Sequence, residues 1–358
     1  MASLCPYRAR LLLAAGALAL YATVPAEAQV ARGTVVDEDG QPVRTALVLL
    51  LDGTGKQRAA TLTDTVGAFI LRAPSAGSYK LRVERIGYRT TEGQAVELPA
   101  GSVVERRVVA AALPVELPAL TAAAKRRCTS RPAEGEAVAV LWYEVRKGLQ
   151  ASQLSGPSRS YSFRTFRWIR RLDLPALNVV SDSSRERIEF SRGSPFVSAP
   201  VEQLLERGFM VPTDDGGTIF YAPDARVLLS DEFANAYCLT PTEDPEHGRI
   251  GIHFRPVERS GPPAVTGTLW LDRITLELRQ LAYGYTRATL PEGPVNEVGG
   301  LVEFDRLPDG SWVVWRWRIR MPLAGQKSVQ LGRSGSLYRT VMIGIREEGA
   351  EIREVIRR

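Results

Sequence analysis

The sequence predicts a mainly β chain: a small β-sandwich, then an α+β unit with a curved antiparallel sheet and two or three short helices. Three observations carry this. Short apolar segments separated by glycine turns fill residues 30 to 113. A helical stripe opens the second half, and a long run of alternating segments fills the rest. Few helices with many strands in one run is an α+β pattern.

The N-terminus reads as an export signal. Arg8 and Arg10 precede an apolar run from Leu11 to Val24, followed by Pro25-Ala26-Glu27-Ala28. A membrane-spanning helix needs about 20 apolar residues, and this run is shorter. The small residues at Ala26 and Ala28 form an A-x-A cleavage site, so residues 1–28 are expected to be removed and Gln29 to become the first residue. Cys5 precedes the apolar run, which excludes it as an acylation cysteine. No later segment reaches transmembrane length. The expected location is the periplasm, free or associated with the outer membrane.

Residues 29–118 form the expected first unit. Gly33 to Asp37 is a strand entering the turn Asp39-Gly40, and Ala46 to Leu51 is apolar throughout, as in a strand covered on both faces. Ala68 to Leu71 follows Gly67. Tyr79, Leu81 and Val83 alternate with Lys80, Arg82 and Glu84, the period of a half-buried strand. Spaced strands without a helix indicate a sandwich. Asp64 is expected to bind turn backbone.

The ordered set Gly33-x-Val35-x-Asp37-x-x-Gly40-x-Pro42, Ala46-x-Val48, Thr63-Asp64-x-x-Gly67-x-Phe69-x-Leu71, Pro74-x-x-Gly77-x-Tyr79-x-Leu81-x-Val83 and Gly87-Tyr88 resembles the carboxypeptidase regulatory-like domain. The resemblance implies a transthyretin-like sandwich used as an interaction module. In envelope proteins such a sandwich often precedes a plug and barrel. The remaining chain is too short for a 22-stranded transporter barrel.

Residues 119–358 form the expected second unit. Pro114, Pro118 and the basic run Lys125-Arg126-Arg127 mark a linker before it. Val138, Leu141, Trp142, Val145 and Leu149 make one helical stripe. A second helix is expected over 199–207, capped by Ser198 and stopped by Gly208. A third follows Ser230, with Asp231 and Glu232 in its first turn. Strands are expected at 250–254, 267–272, 276–285, 298–305, 312–321, 339–346 and 352–356. In the strand from Trp312, Val313, Trp315, Trp317, Ile319 and Met321 are expected on one face and Arg316, Arg318 and Arg320 on the other. Gly267-x-Leu269-Trp270-Leu271-Asp272 with Thr275-x-Glu277-Leu278 resembles the half-barrels of outer-membrane lipoprotein carriers, in which a sheet wraps helices and can hold acyl chains.

The residue inventory leaves little room for catalysis. His247 and His253 are the only histidines, and neither begins the H-x-x-E pair of a zinc carboxypeptidase. There is no G-x-S-x-G elbow, P-loop or C-x-x-C. No catalytic, metal-binding or cofactor-binding residue is assigned. Asp214-Asp215 and Asp231-Glu232 read as turns and helix starts. Cys128 and Cys238 are the two cysteines after the signal, and an oxidising compartment predicts their pairing. Trp270, Trp315 and Trp317, with Trp168, are candidate ligand-lining or core aromatics. Arg164, Arg167, Arg170 and Arg171 are candidates for phosphate or anionic-lipid contact, or a charged strand edge.

The net charge of +6 is scattered, and export argues against nucleic acid. These readings favour a non-enzymatic envelope binding or scaffold protein, with other envelope proteins, lipid or polysaccharide as partners. Two alternatives stay open: a carbohydrate-binding sandwich showing an exposed aromatic strip, and a hydrolase with two carboxylates about 5–10 Å apart in a cleft.

Overall fold

Alternation and glycine turns produce seven strands in the first unit of the computed structural model, which describes residues 29–111, 114–116, 137–155, 161–189, 196–331 and 335–358. The signal segment, Cys128 and the basic run Lys125-Arg126-Arg127 lie outside the described residues. The strands are β1 (Gln29–Val36), β2 (Leu47–Leu51), β3 (Gln57–Leu62), β4 (Ala68–Ala73), β5 (Gly77–Glu84), β6 (Thr91–Leu98) and β7 (Val103–Val109). They form two sheets, ordered β4-β1-β7 and β3-β2-β5-β6, with β1 and β7 parallel and every other pair antiparallel. Val35, Val48, Leu50, Phe69, Leu71, Tyr79, Leu81 and Val83 fill the space between them.

The tight turn before β4 shows why the local sequence matters. The Asp64 carboxylate accepts hydrogen bonds from the Val66 and Ala68 N–H groups. Gly67 sits at φ +75°, and a Cβ there would stand 2.5 Å from the Val35 carbonyl oxygen. Only glycine fits this left-handed, crowded position.

The second unit carries four helices among the described residues: α1 (Ala137–Ser155), α2 (Val201–Arg207), α3 (Ala225–Leu229) and α4 (Asp231–Ala236). Its strands are β8 (Tyr161–Leu172), β9 (Val179–Glu189), β10 (Met210–Pro212), β11 (Thr218–Phe220), β12 (Tyr237–Asp244), β13 (Arg249–Pro256), β14 (Ala264–Asp272), β15 (Leu278–Thr286), β16 (Gly299–Arg306), β17 (Trp312–Leu331) and β18 (Gly335–Arg357). Apart from the β10–β11 hairpin, they make one antiparallel nine-stranded sheet, β12-β13-β14-β15-β16-β17-β18-β8-β9. The stripe of α1 predicted from the sequence packs on one face of this sheet, against residues such as Ile252, Leu269, Leu278 and Trp312. Below, this is called the helix face.

Four expectations are corrected. Ser198 does not cap α2: Pro200 occupies the cap without a side-chain bond, and the Ser198 N–H instead donates to Asp224. The strands expected at 339–346 and 352–356 are one strand, β18; a register shift between Ile352 and Glu354 breaks its alternation. The Arg164–Arg171 segment is not a sheet edge, because β8 lies between β18 and β9. The single face expected for Val313 through Met321 is interrupted by a bulge opposite Glu303 and Phe304. Val314 and Trp317 consequently pack against the α1 core, and Val313 and Trp315 join a smaller cluster with Phe163 and Ile352.

The two units meet along α1. All five residues of β2 are buried. Val48 and Leu50 face the sandwich core, whereas Leu47, Leu49 and Leu51 pack with Leu62 and with Leu154 of α1. Beside this contact lies a polar clamp. Lys147 and Glu144 form an ion pair at 2.7 Å, with side chains 2% and 1% exposed. Lys147 Nζ also donates to the carbonyl oxygens of Arg85 and Tyr88, at 3.1 and 2.9 Å. Glu144 Oε2 accepts the Gly87 N–H at 2.8 Å. Gly87 is at φ +79°, and a Cβ there would stand 2.7 Å from the Thr275 carbonyl oxygen, so a side chain fits poorly there too. Tyr143 donates to the buried carboxylate of Glu84. Burial, and then the Glu84 charge, raise the Tyr143 pKa and keep it a donor. Burial raises the Glu144 carboxyl above its ordinary range, against the pull of Lys147.

Removing one member of a buried pair strands the other charge, at a cost of about 3–5 kcal/mol. Glu144→Gln is therefore expected to lower unfolding stability by about that amount. The double change Glu144→Gln with Lys147→Met should recover much of it, because neither charge of the pair is then left without its partner. Denaturant titration of the three proteins checks this; a neutral Glu144→Gln would contradict the clamp.

Candidate functional site

Residues directly opposite in an antiparallel pair share a face, so strand register maps the helix face outward from its core. One row runs Val302, Trp317, Ala350, Arg167, Arg185. The next runs Ile319, Glu348, Ile169, Ser183, and the one beyond it Met321, Arg346, Arg171, Ser181. These rows floor two adjoining clefts. A smaller cleft, about 320 Å³, is lined by Trp317, Ile169, Arg167, Arg185 and Glu348. A larger one, about 810 Å³, is lined by Met210, Phe220, Leu290, Met321, Leu323, Arg346 and the same Glu348. Through Glu348 they read as one trough.

Packing outside the rows holds the walls. Phe220 meets Tyr285 edge-on with centroids 5.3 Å apart, and the Tyr285 hydroxyl donates to the Tyr221 carbonyl. The loop carrying Leu290 is tied to β18 by Glu292 N to Thr340 O and Met342 N to Glu292 O bonds. Phe196 tilts against Trp317 at 5.6 Å. The Trp317 Nε1 is buried and has no acceptor among the described residues.

The charges on this face are unevenly matched. Arg346 pairs with Glu348 at 2.6 Å, and Arg167 with Glu189 at 3.1 Å. Arg171 and Arg185 have no carboxylate partner among the described residues. Arg164 and Arg170 point to the other face, paired with Glu354 and Asp182.

A second, open cleft of about 830 Å³ lies between the sheet and the loop that follows β15, lined by His253, Arg318, Arg320 and Glu297 among others. Arg320 is held by Glu297 and by buried Glu347, which also accepts from Trp168 Nε1. His253 is half-buried, its Nδ1 3.2 Å from Thr268 Oγ1; burial and then Arg255 lower its pKa. His247 is exposed beside Asp244. Each of the two large clefts holds one carboxylate, Glu297 or Glu348, and each of these is already ion-paired. Among the described residues no group of three or more His, Cys, Asp or Glu is placed to hold a metal ion.

The tryptophans singled out from sequence are dispersed. Trp317 lines the smaller cleft. Trp315 packs beside Phe163 and Ile352. Trp270 is half-buried beneath the Arg249 guanidinium, 5.2 Å from its ring centre, while its neighbours Leu269 and Leu271 take the α1 core. In the sandwich, Phe69 and Tyr79 are core residues, and Tyr88 is stacked by Arg85. Cys238 is fully buried in β12; its expected partner Cys128 lies outside the described residues. The apolar cleft walls were missed from sequence because Met210, Phe220 and Leu290 sit in short elements and loops without periodicity.

The first unit is a β-sandwich of the kind used as an interaction module. Residues 30–111 match the family model of the carboxypeptidase regulatory-like domain. No curated protein matches the chain. Among solved structures, fervidolysin from Fervidobacterium pennivorans, a keratinolytic enzyme related to subtilisin, aligns at 9% identity and a TM-score of 0.18, over 88% of this chain and 33% of that one. A 9R-lipoxygenase from Cyanothece aligns at 10% identity and 0.19, over 92% and 42%. The chain thus spans less than half of either protein, and likeness at this level carries no argument about fold or activity. No described helix is long and apolar enough to cross a membrane.

The buried Trp317 N–H without an acceptor gives a checkable outcome. Trp317→Phe keeps most of the packing and removes the unpaired donor, whose burial costs about 1–3 kcal/mol. Stability by thermal melting is expected to be unchanged or raised; a large loss would show that the indole nitrogen is bonded.

Proposed function

We propose that this is a non-enzymatic envelope binding or scaffold protein. The sandwich is its interaction module, docking other envelope components, and the trough on the helix face of the second unit holds an apolar or amphipathic ligand. The observation that carries the reading is the larger cleft: its size is that of small-molecule sites, which run from about 300 to 1,000 Å³, and its walls are Met210, Phe220, Leu290, Met321 and Leu323. In support, its one carboxylate is occupied by Arg346.

Export, with cleavage after Ala28 and residence in the periplasm or at the outer membrane, completes the proposal. So does a disulfide from Cys128 to buried Cys238. N-terminal sequencing of the exported protein is expected to begin at Gln29. Mass mapping of a non-reduced digest is expected to yield a linked Cys128–Cys238 peptide; alkylation of both cysteines in the native oxidised protein would exclude it.

The ligand reading is tested with a neutral fluorescent probe, N-phenyl-1-naphthylamine. The protein is expected to bind it saturably, and Leu323→Ser to weaken binding about tenfold, the equivalent of about 1.4 kcal/mol. Absence of binding to the wild-type protein would overturn the reading.

A further inference from the structure

Resting on that reading of the trough, we infer that its ligand is anionic: an amphiphile whose alkyl chain lies among Met210, Phe220, Leu290, Met321 and Leu323 and whose phosphate or carboxylate head sits on Arg171 and Arg346.

Arg171 of β8 and Arg346 of β18 are directly opposite, on the same face. Like charges in that position repel. The single carboxylate beside them, Glu348, pairs with Arg346 at 2.6 Å and leaves Arg171 without one among the described residues. The repetition two rows inward is informative: Arg167 stands opposite Arg185, and Arg167 pairs with Glu189 while Arg185 has no carboxylate partner among the described residues. On this face Arg167, Arg171, Arg185, Arg187 and Arg346 thus outnumber Glu189 and Glu348. The contrast with Arg164 and Arg170 is sharp, since each of those has its own carboxylate. A guanidinium pair lacking one negative charge is suited to bidentate hydrogen bonding of a phosphate or carboxylate.

The placement of the charge fixes the class of ligand. Arg346 lines the same cleft as the apolar walls, and it is opposite Met321 in the β17–β18 register. Cation and hydrocarbon surface are therefore in one row on adjacent strands, the spacing of a head group joined directly to a chain. On the arm rising from this point Lys327 stands opposite Arg339, and Arg339 is ion-paired with Glu292. β9, which borders the floor, is exposed at every position from Val179 to Ile188, so its polar groups are open to solvent or to a ligand head.

The test uses dodecyl phosphate, the neutral dodecyl maltoside and inorganic phosphate, each competing with the bound naphthylamine probe below micelle-forming concentrations. Dodecyl phosphate is expected to bind at least about tenfold more tightly than dodecyl maltoside, a preference that shrinks as sodium chloride is raised, because salt screens exposed charges. Arg171→Gln combined with Arg346→Gln should abolish the preference, weakening dodecyl phosphate at least about tenfold more than dodecyl maltoside. Both positions are exposed, and unaltered thermal melting confirms that the variant folds. Leu323→Ser should weaken both amphiphiles alike. Equal affinity of the wild-type protein for the two amphiphiles, or a preference that survives the double variant, would overturn the anionic head while leaving an apolar ligand standing. Displacement by inorganic phosphate as effective as by dodecyl phosphate would overturn the chain. Failure of every amphiphile and of the probe itself would sink the underlying ligand reading instead.

Discussion

The Glu144–Lys147 pair is the constraint on which the arrangement of the two units turns. Each charge is withdrawn from water, and each spends its remaining hydrogen-bonding capacity on backbone of the opposite unit: Glu144 on the Gly87 N–H, Lys147 on the carbonyls of Arg85 and Tyr88. Apolar packing of Leu154 on the cluster of Leu47, Leu49 and Leu51 tolerates sliding, whereas hydrogen bonds to fixed backbone groups do not. A buried ion pair is weak evidence of net stability, since desolvation offsets attraction. Its effect here is positional: any displacement of the loop between β5 and β6 from α1 strips both charges of their backbone partners. Because α1 is at the same time packed on the nine-stranded sheet, the sandwich is oriented relative to the trough.

The sheet uses its opposite face differently. There Arg316 is shared by Glu303 and Glu351, and Arg320 by Glu297 and Glu347. Cations and carboxylates alternate across these strands, which satisfies cross-strand pairing beside the apolar cluster of Leu172 and Ile345. The more exposed of these pairs, such as Arg316 with Glu303, contribute little individually. Their value lies in leaving that face self-neutralised, so the uncompensated guanidinium groups of the helix face are a local departure within one sheet.

Much of the first unit was legible because its positions are dictated by backbone. Asp64 and Gly67 mark a turn that few other residues fit, and Tyr79, Leu81 and Val83 alternate as a strand between core and solvent must. In the second unit α1 was legible for the same reason, as a stripe of fixed period. Bulges hid the rest. The insertion opposite Glu303 moved Trp315 and Trp317 into different clusters, and the shift at Ile352 made one strand read as two. β9 gave no signal, because a strand exposed on both faces has no apolar period. The trough's walls come from hairpin and loop residues brought together by long-range pairing, and its unpaired arginines are distinguishable from paired ones only once the register is known.

β2 holds a consequence for where this protein can be divided. In a two-layer sandwich each strand needs one apolar face; β2 has two, and the second is spent on Leu154 and its surroundings. The carboxypeptidase regulatory-like segment therefore ends at a different place for a motif than for solvent. Excised at the motif boundary, it would present Leu47, Leu49 and Leu51 as a contiguous greasy strip next to an emptied Gly87 loop, a surface prone to self-association. Grafting this sandwich elsewhere accordingly demands polar replacements at those three leucines, and none of its interior.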